Sequence, residues 1–292
     1  MKSPIFLLDM MNLIYRYHWA FHKNPLKSSS GEITSSAYGI ANLLFDIRSR
    51  YRNPVILGAY DSGSTKRKAL YPEYKSTRKH TLGIPEQTET SRTLLSAHGI
   101  PQIKNDGVEA DDIIAVLSRY YSEIGHEVFI VSNDLDFGQL LSPLVKMLKH
   151  GKDGKFSFLT VDNFAAEHGV SPDKYLDFLA ITGDPSDNIP GVKGIGEIGA
   201  KALINDYGSL DGVYENIESI KKNNIKDKLL ASKTNAFLSR ELIRPDWEIE
   251  VPVNESWLTP EPDFKKILDL YVLWDFMVMT KKIREDLISR NV

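Results

Sequence analysis

The chain contains no cysteine. Disulfides and thiolate metal sites are thereby excluded, and a reducing cytoplasm is the expected compartment. No apolar run approaches the roughly 18 residues needed to cross a bilayer, so no membrane partner is expected. The N-terminus, MKSPIFLLDMMN, offers one lysine and a short apolar stretch that Asp9 interrupts. A signal peptide needs a longer apolar run and a small-residue cleavage site, and none is read here. A GxxxxGK[ST] phosphate loop and a serine nucleophile elbow are missing. His18 and His22 have i,i+4 spacing, but no intervening Glu makes an HExxH zinc motif. Both are read as packed or surface histidines. There are no internal repeats and no low-complexity segment.

What is present is ordinary in bulk. The 292 residues are 42% apolar and 26% charged, which suits one large globular domain or two modest ones. A net charge of −3 does not suggest a nucleic-acid binder. The charges are segregated, however. The block KRKALYPEYKSTRK, residues 66–79, holds six Lys or Arg, one acid (Glu73) and two tyrosines. A solvated loop and a phosphate-tracking surface with stacking platforms are both open readings of it.

Three short apolar runs, PIFLLD (4–9), PVILGAYD (54–61) and EVFIVSND (127–134), read as buried parallel strands, each ending in an aspartate. Helical patterns alternate with them. An α/β fold follows, with a mostly parallel central sheet and helices on both faces. Right-handed crossovers align the strand C-terminal ends along one edge, where such sheets bind ligands. Asp9, Asp61 and Asp134 are therefore expected in one crevice. Residues 62–107 read as a long insertion, with Pro85 starting a helix and Gly99 ending it. From about residue 170 the chain turns to short helices, and DFKKILDLYVLWDFMVMTKKI reads as an amphipathic covering helix, with Trp274 and Phe276 packed in the core.

Acids recur in groups. Glu109, Asp111 and Asp112 open a helix, Asp134 and Asp136 follow a strand, and Asp184 and Asp187 stand i,i+3 after a helix. Each alone reads first as a cap. As a set with Asp9 and Asp61, nine carboxylates repel one another unless cations neutralise them. Hard divalent ions with oxygen ligands, Mg²⁺ or Mn²⁺, answer that need. Two of them would stabilise the attacking and leaving oxygens of a phosphodiester. Setting those nine aside leaves 30 acids against 36 Lys and Arg, a mildly basic body around an acidic pocket.

GVKGIGEIGAK, residues 191–201, has the letters GxGxxG of a dinucleotide loop. The polar, proline-containing GDPSDNIP before it cannot be the central strand that such a loop must follow. Apolar residues place a helix on each side. Gly194 and Gly196 would expose backbone N–H groups at a helix N-terminus, with Lys193 and Lys201 adding charge: a clamp for the phosphates of a duplex.

In order along the chain, LLDMMNLIYR, AYDSGSTKRKALYPEYKSTR, GVEADD, SNDLDFGQLL and ITGDPSDNIPGVKGIGEIGAKALI resemble the 5′ nuclease family, over roughly residues 4–252. That family includes the 5′-3′ exonuclease domain of bacterial DNA polymerase I and bacteriophage flap endonucleases. The resemblance implies a PIN-like or resolvase-like catalytic domain over residues 1–168, with an arch at about 62–107 that a single-stranded 5′ end passes. A helix-three-turn-helix (helix-hairpin-helix type) DNA-binding region with C-terminal helices would follow over 169–292. It implies that Asp9, Asp61, Glu109, Asp111 and Asp112 hold or surround one metal, and that Asp134, Asp136, Asp184 and Asp187 serve a second. Lys75 and Arg78 would meet the scissile phosphate, Tyr74 would stack on a base, and Arg16 and Arg67 would touch further phosphates. Mg²⁺ is the implied metal, with Mn²⁺ able to substitute and K⁺ in the helix-three-turn-helix.

The implied activity is flap endonuclease and 5′-3′ exonuclease cleavage in DNA replication, giving 5′-phosphate and 3′-hydroxyl ends. The implied protein is a stand-alone, monomeric nuclease of a bacterial or phage-infected cytoplasm. Its partners would be 5′-flap or branched DNA, an RNA–DNA hybrid and a replicative polymerase. The rivals are a non-catalytic branched-DNA binder, an RNase H-like or processive exonuclease of the same family, and an NAD oxidoreductase. One departure stands out: Met10 follows Asp9 where the family usually has Gly. A methionine there is expected to crowd the metal or redirect the loop.

Overall fold

The computed structural model describes residues 2–151, 155–259 and 262–290. The first half alternates strand and helix: β1 (Ile5–Asp9), α1 (Met10–Ala20), α2 (Ser35–Arg50), β2 (Val55–Ala59), α3 (Thr65–Leu70), α4 (Ile84–Ala97), β3 (Gln102–Ile103), α5 (Ala110–Glu123), β4 (Val128–Val131). Then come β5 (Val145–His150), β6 (Phe156–Leu159) and α6 (Val161–His168). The rest is helical: α7 (Pro172–Thr182), α8 (Glu197–Tyr207), α9 (Leu210–Glu215), α10 (Asn223–Ala231), α11 (Lys233–Ile243), α12 (Phe264–Leu273) and α13 (Met277–Arg290).

The strands form one sheet in the order β3-β2-β1-β4-β5-β6. The first five are parallel and β6 runs antiparallel to β5. Strands β1, β2 and β4 are buried throughout, as a sheet covered on both faces requires. Alternate β1 residues divide between two cores. Ile5 and Leu7 join Ile113, Ile114, Leu117 and Tyr121 of α5 on one face. Phe6 and Leu8 join α1, α2 and α4 on the other. The strand order reverses between β1 and β4, and a doubly wound sheet opens its ligand crevice at such a point.

Two expectations need correction. Residues 62–107 are not a single insertion. Their second half is α4, whose Leu94 and Leu95 are fully buried against α1 and α2, and the edge strand β3. The first half, α3 and the turns after it, lies over the C-terminal edge of the sheet and reaches the acidic groups. The C-terminal covering helix is two helices, broken at Trp274–Phe276, where Asp275 takes φ 58°. Trp274 and Phe276 are buried at that break, in the core role expected of them.

Candidate metal and phosphodiester site

Each acidic group is delivered by the end of an element. Asp9 closes β1 and caps α1, its Oδ1 accepting from Asn12 N–H at 3.1 Å. Asp61, two residues past β2, caps α5 through Ala110 N–H at 2.9 Å. Glu109 is the residue before α5, and Asp111 and Asp112 lie in its first turn. Asp134 starts the 3₁₀ turn after β4 and accepts from Asp136 N–H at 3.0 Å. Asp184 and Asp187 belong to a tight loop between α7 and α8. Gly183 and Gly191 pack backbone to backbone at its base: a Cβ on Gly183 would lie 2.5 Å from Ile189 O. That close approach, which only glycine permits, folds the loop back toward the sheet.

Several of the acids cap an element and also converge with others. Six of the nine acids lie near a 30 Å³ cavity whose lining includes Glu109, Asp111, Asp112, Asp134, Asp136 and Asp187. A much larger cavity of 530 Å³ sits between α2 and the α12–α13 pair, on other elements, and its only acid is Glu285. The chemistry follows the acids, not the volume.

Electrostatics sorts seven of the nine into two sets. Glu109, Asp112 and Asp187 are paired with cations. Arg67 binds Asp112 in bidentate fashion at 2.6 and 2.8 Å and reaches Glu109 at 2.9 Å. Lys75 Nζ donates to Glu109, and Arg78 binds Asp187 at 2.5 and 2.8 Å. Asp9, Asp111, Asp134 and Asp136 have no such close partner among the described residues. Burial pushes Asp9 up to about 7, with the charges of Asp61 and Asp134 adding to it. Burial, then Asp134, Asp184 and Asp187, pushes Asp136 up to about 8. Asp111 and Asp134 are raised from the same two causes. Carboxylates held at such values are short of positive charge.

This donor set fits hard divalent ions. Every ligand is oxygen, the uncompensated groups face one another's charge, and the cavity holds about one water-sized occupant. Among the described residues no three acidic or histidine side chains are already gathered around a metal-sized point. Some carboxylates must turn, and Glu109 and Asp187 must leave their lysine and arginine partners, for ions to be enclosed.

The structure reassigns several expected contacts. Arg67 lies inside: its side chain is only 10% exposed, and it also donates to the carbonyls of Leu242 and Arg244 at 2.7 and 3.1 Å. It is a strut between α3, α5 and the end of α11, not a surface phosphate contact. Tyr74 is buried against Ile189, Leu242 and Ile243, with its hydroxyl on Glu109 at 3.0 Å. In this conformation it has no face for a base. Lys75, in the left-handed region at φ 57°, and Arg78 reach the acids through their pairs with Glu109 and Asp187. Arg16, half-buried on α1, lies over the Tyr17 ring. Met10 does not crowd the acids: it points into the core under α1 and packs over Gly58, whose missing side chain leaves room for it.

Beside the acids, Gly196 precedes α8 with no side-chain cap, so the first-turn N–H groups of α8 are left to an outside acceptor. Lys193, Gly194 and Gly196 are exposed, and Lys201 is half-buried and paired with Glu197 at 3.4 Å. Sequence reasoning missed Lys228 of α10, whose Nζ donates to Gly194 O at 2.8 Å. It also missed Ser132 and Asn12, which tie Asp9 to the segment carrying Asp134. A hydroxyl two residues before an aspartate at a strand end was the available signal.

Fold and site together define an acid-centred α/β protein with an appended helical region. Residues 4–169 match the 5′-3′ exonuclease N-terminal resolvase-like domain, and residues 170–265 match the 5′-3′ exonuclease C-terminal SAM fold. The chain belongs to the 5′-3′ exonuclease family. DNA polymerase I of Borreliella burgdorferi is 33% identical over 294 residues, covering 99% of this chain and 32% of that protein. DNA polymerase I of Treponema pallidum is 36% identical over 244 residues, covering 83% and 24%. The chain thus spans a third or less of the length of these relatives. Among solved structures, T5 5′-exonuclease with divalent metal ions (zinc) bound superposes with a TM-score of 0.66 at 23% identity, covering 97% of this chain and 99% of that one. Flap endonuclease-1 from Methanococcus jannaschii gives 0.62 at 17% identity, covering 100% and 94%. At these identities the likeness establishes the shared fold.

Proposed function

We propose that the chain is a metal-dependent, structure-specific 5′ nuclease acting on DNA. It would cut 5′ flaps, trim 5′ ends and leave 5′-phosphate and 3′-hydroxyl products. The observation that carries this is the set of carboxylates Asp9, Asp111, Asp134 and Asp136, buried or half-buried and without a close ion-pair partner among the described residues, at the switch point of the sheet, with cations poised at its rim. Membership of the 5′-3′ exonuclease family supports the same reading.

Asp9, Asp61, Glu109, Asp111 and Asp112 would hold or surround one divalent ion, and Asp134, Asp136, Asp184 and Asp187 would serve a second. Bound there, Mg²⁺, or Mn²⁺ in its place, would neutralise the acids and lower the pKa of a water to give the nucleophile. Lys75 and Arg78 carry the complementary task. Burial works against a charged Lys75, yet Glu109 and Asp187 more than offset it and hold its pKa above the ordinary value. It stays charged at neutral pH. Once Glu109 and Asp187 are otherwise neutralised, Lys75 and Arg78 are released toward a phosphate and can stabilise charge developing on it. Tyr74 would have to leave Glu109 and its apolar neighbours with the same segment before it could stack on a base.

The α8 N-terminus would grip the duplex backbone without reading sequence. K⁺ in that turn would compete with Lys228 for the Gly194 carbonyl. The product ends suit removal of flaps or RNA primers beside a replicative polymerase. Incubating the pure chain with a 5′-flap duplex in Mg²⁺ tests the proposal, with the product ends mapped. Asp134→Asn should lower cleavage by orders of magnitude and spare DNA binding; unchanged cleavage removes Asp134 from the site.

A further inference from the structure

The end of β4 and the start of α1 meet where the sheet reverses its order. Leu8 of β1 pairs with Val131 of β4, so the next residues, Asp9 and Ser132, emerge side by side. Ser132 is buried. Its Oγ donates to Asp9 Oδ2 at 2.8 Å and accepts from Asp134 N–H at 3.0 Å. A serine hydroxyl has one proton, which goes to Asp9, and a lone pair that takes the backbone N–H. Asn12 adds a second tie: its Oδ1 accepts from Asn133 N–H at 3.2 Å, while its own N–H donates to Asp9 Oδ1 at 3.1 Å.

One neutral hydroxyl therefore touches a carboxylate of the first group and the backbone of the residue that leads the second. Both oxygens of Asp9 are held in this way, which fixes the plane of its carboxylate. The turn bearing Asp134 and Asp136 is anchored to β1 at the same point. Both donors to Asp9 are neutral, so, unlike the Lys75 and Arg78 pairs, these tethers contain no cation for a metal ion to displace.

We propose that Ser132 is a positioning residue that sets the orientation of Asp9 and its separation from the Asp134–Asp136 group, and through them the affinity for the divalent ions. This rests on the reading given under Proposed function. Ser132→Ala keeps the backbone but removes the donor from Asp9 and the acceptor from Asp134. Ser132→Thr keeps the hydroxyl on a side chain suited to extended backbone.

The test uses the full chain and two readouts: calorimetric titration with Mn²⁺ in the absence of DNA, and single-turnover cleavage of a pre-bound 5′ flap. Losing an outer partner of a metal ligand lowers affinity or activity about 10–100-fold, and that loss is expected in both readouts for Ser132→Ala. Ser132→Thr should restore both, and flap affinity in Ca²⁺ should be the same in all three proteins. Ser132→Ala with wild-type Mn²⁺ affinity and rate overturns the inference alone. So does a Ser132→Thr that melts like wild type yet fails as fully as Ala, because packing rather than the hydroxyl would then matter. A wild-type chain that binds no Mn²⁺ overturns the nuclease reading and takes this inference with it.

Discussion

Arg67→Ala separates a buried strut from a surface phosphate contact. The guanidinium is 10% exposed, and the Glu109 and Asp112 side chains it holds are each 4% exposed. Its truncation leaves two carboxylates in a confined space and frees the Leu242 and Arg244 carbonyls of their donor. Lys75 still reaches Glu109, and Asp246 N–H still reaches Asp112 at 2.9 Å, but neither replaces a bidentate charge. Removing one partner of a buried pair costs about 3–5 kcal/mol. In a chain of this size each kcal/mol moves the melting point by about 2–4 °C, so a fall of about 6–20 °C is expected in EDTA. Arg67→Lys should recover little, because an ammonium cannot form the two-pronged contact. The assay is a thermal melt beside a salt titration of flap binding by the folded variant. A strut leaves the slope of log affinity against log salt unchanged, whereas a lost phosphate contact lowers it by about 1. A melting point close to wild type, together with a reduced slope, would refute the strut.

Further outcomes follow from the same geometry. Asp9 and Asp136 have folded-state values of about 7 and about 8, above the unfolded value of 3.8, so the folded chain holds extra protons between those limits. The contribution of these two groups to metal-free stability is therefore lost as pH rises from about 5 toward 8. Melts in EDTA across pH 5 to 8 should show the decline, and Mg²⁺ should raise the melting point more at pH 8 than at pH 5; a flat pair of curves contradicts the carboxylate account. Gly194→Ala forces a side chain into φ 80° and to within 3.1 Å of Lys228, so it should destabilise by about 1 kcal/mol and weaken duplex binding. Gly196→Ala meets nothing within 4 Å, so its melt should be unchanged while duplex affinity falls. Equal affinity for Gly196→Ala and wild type would place the duplex elsewhere. Lys228→Ala should weaken duplex binding without slowing single-turnover cleavage of bound flap.

Much of this was legible before any coordinates. Buried strands ending in aspartate announce themselves, because a run such as PIFLLD has only one way to sit in a covered sheet and its polar end must leave at the edge. The convergence of Asp9, Asp61 and Asp134 follows from topology alone. Less was legible where geometry is decided by long-range packing. VKMLKH breaks alternation at Met147–Leu148 and is too mixed to read as β5, because its register is set by pairing with β4 and β6. Arg67 and Arg78 both occur in one basic block, yet one is buried and the other exposed. The carboxylates at the start of α5 and the end of α11, a helix unread in the sequence, together make that difference. Met10 was misjudged for the same reason: its direction depends on Gly58, 48 residues away on the neighbouring strand.

The central claim is that the carboxylates at the switch point of the sheet cut DNA when divalent ions neutralise them. The direct measurement is cleavage of a 5′-flap duplex by the pure chain, with and without Mg²⁺, alongside Asp134→Asn. The account predicts Mg²⁺-dependent cutting near the flap junction, with 5′-phosphate and 3′-hydroxyl ends and loss of cutting in the variant. A flap that the wild-type chain binds but leaves intact in Mg²⁺ and in Mn²⁺ would contradict it.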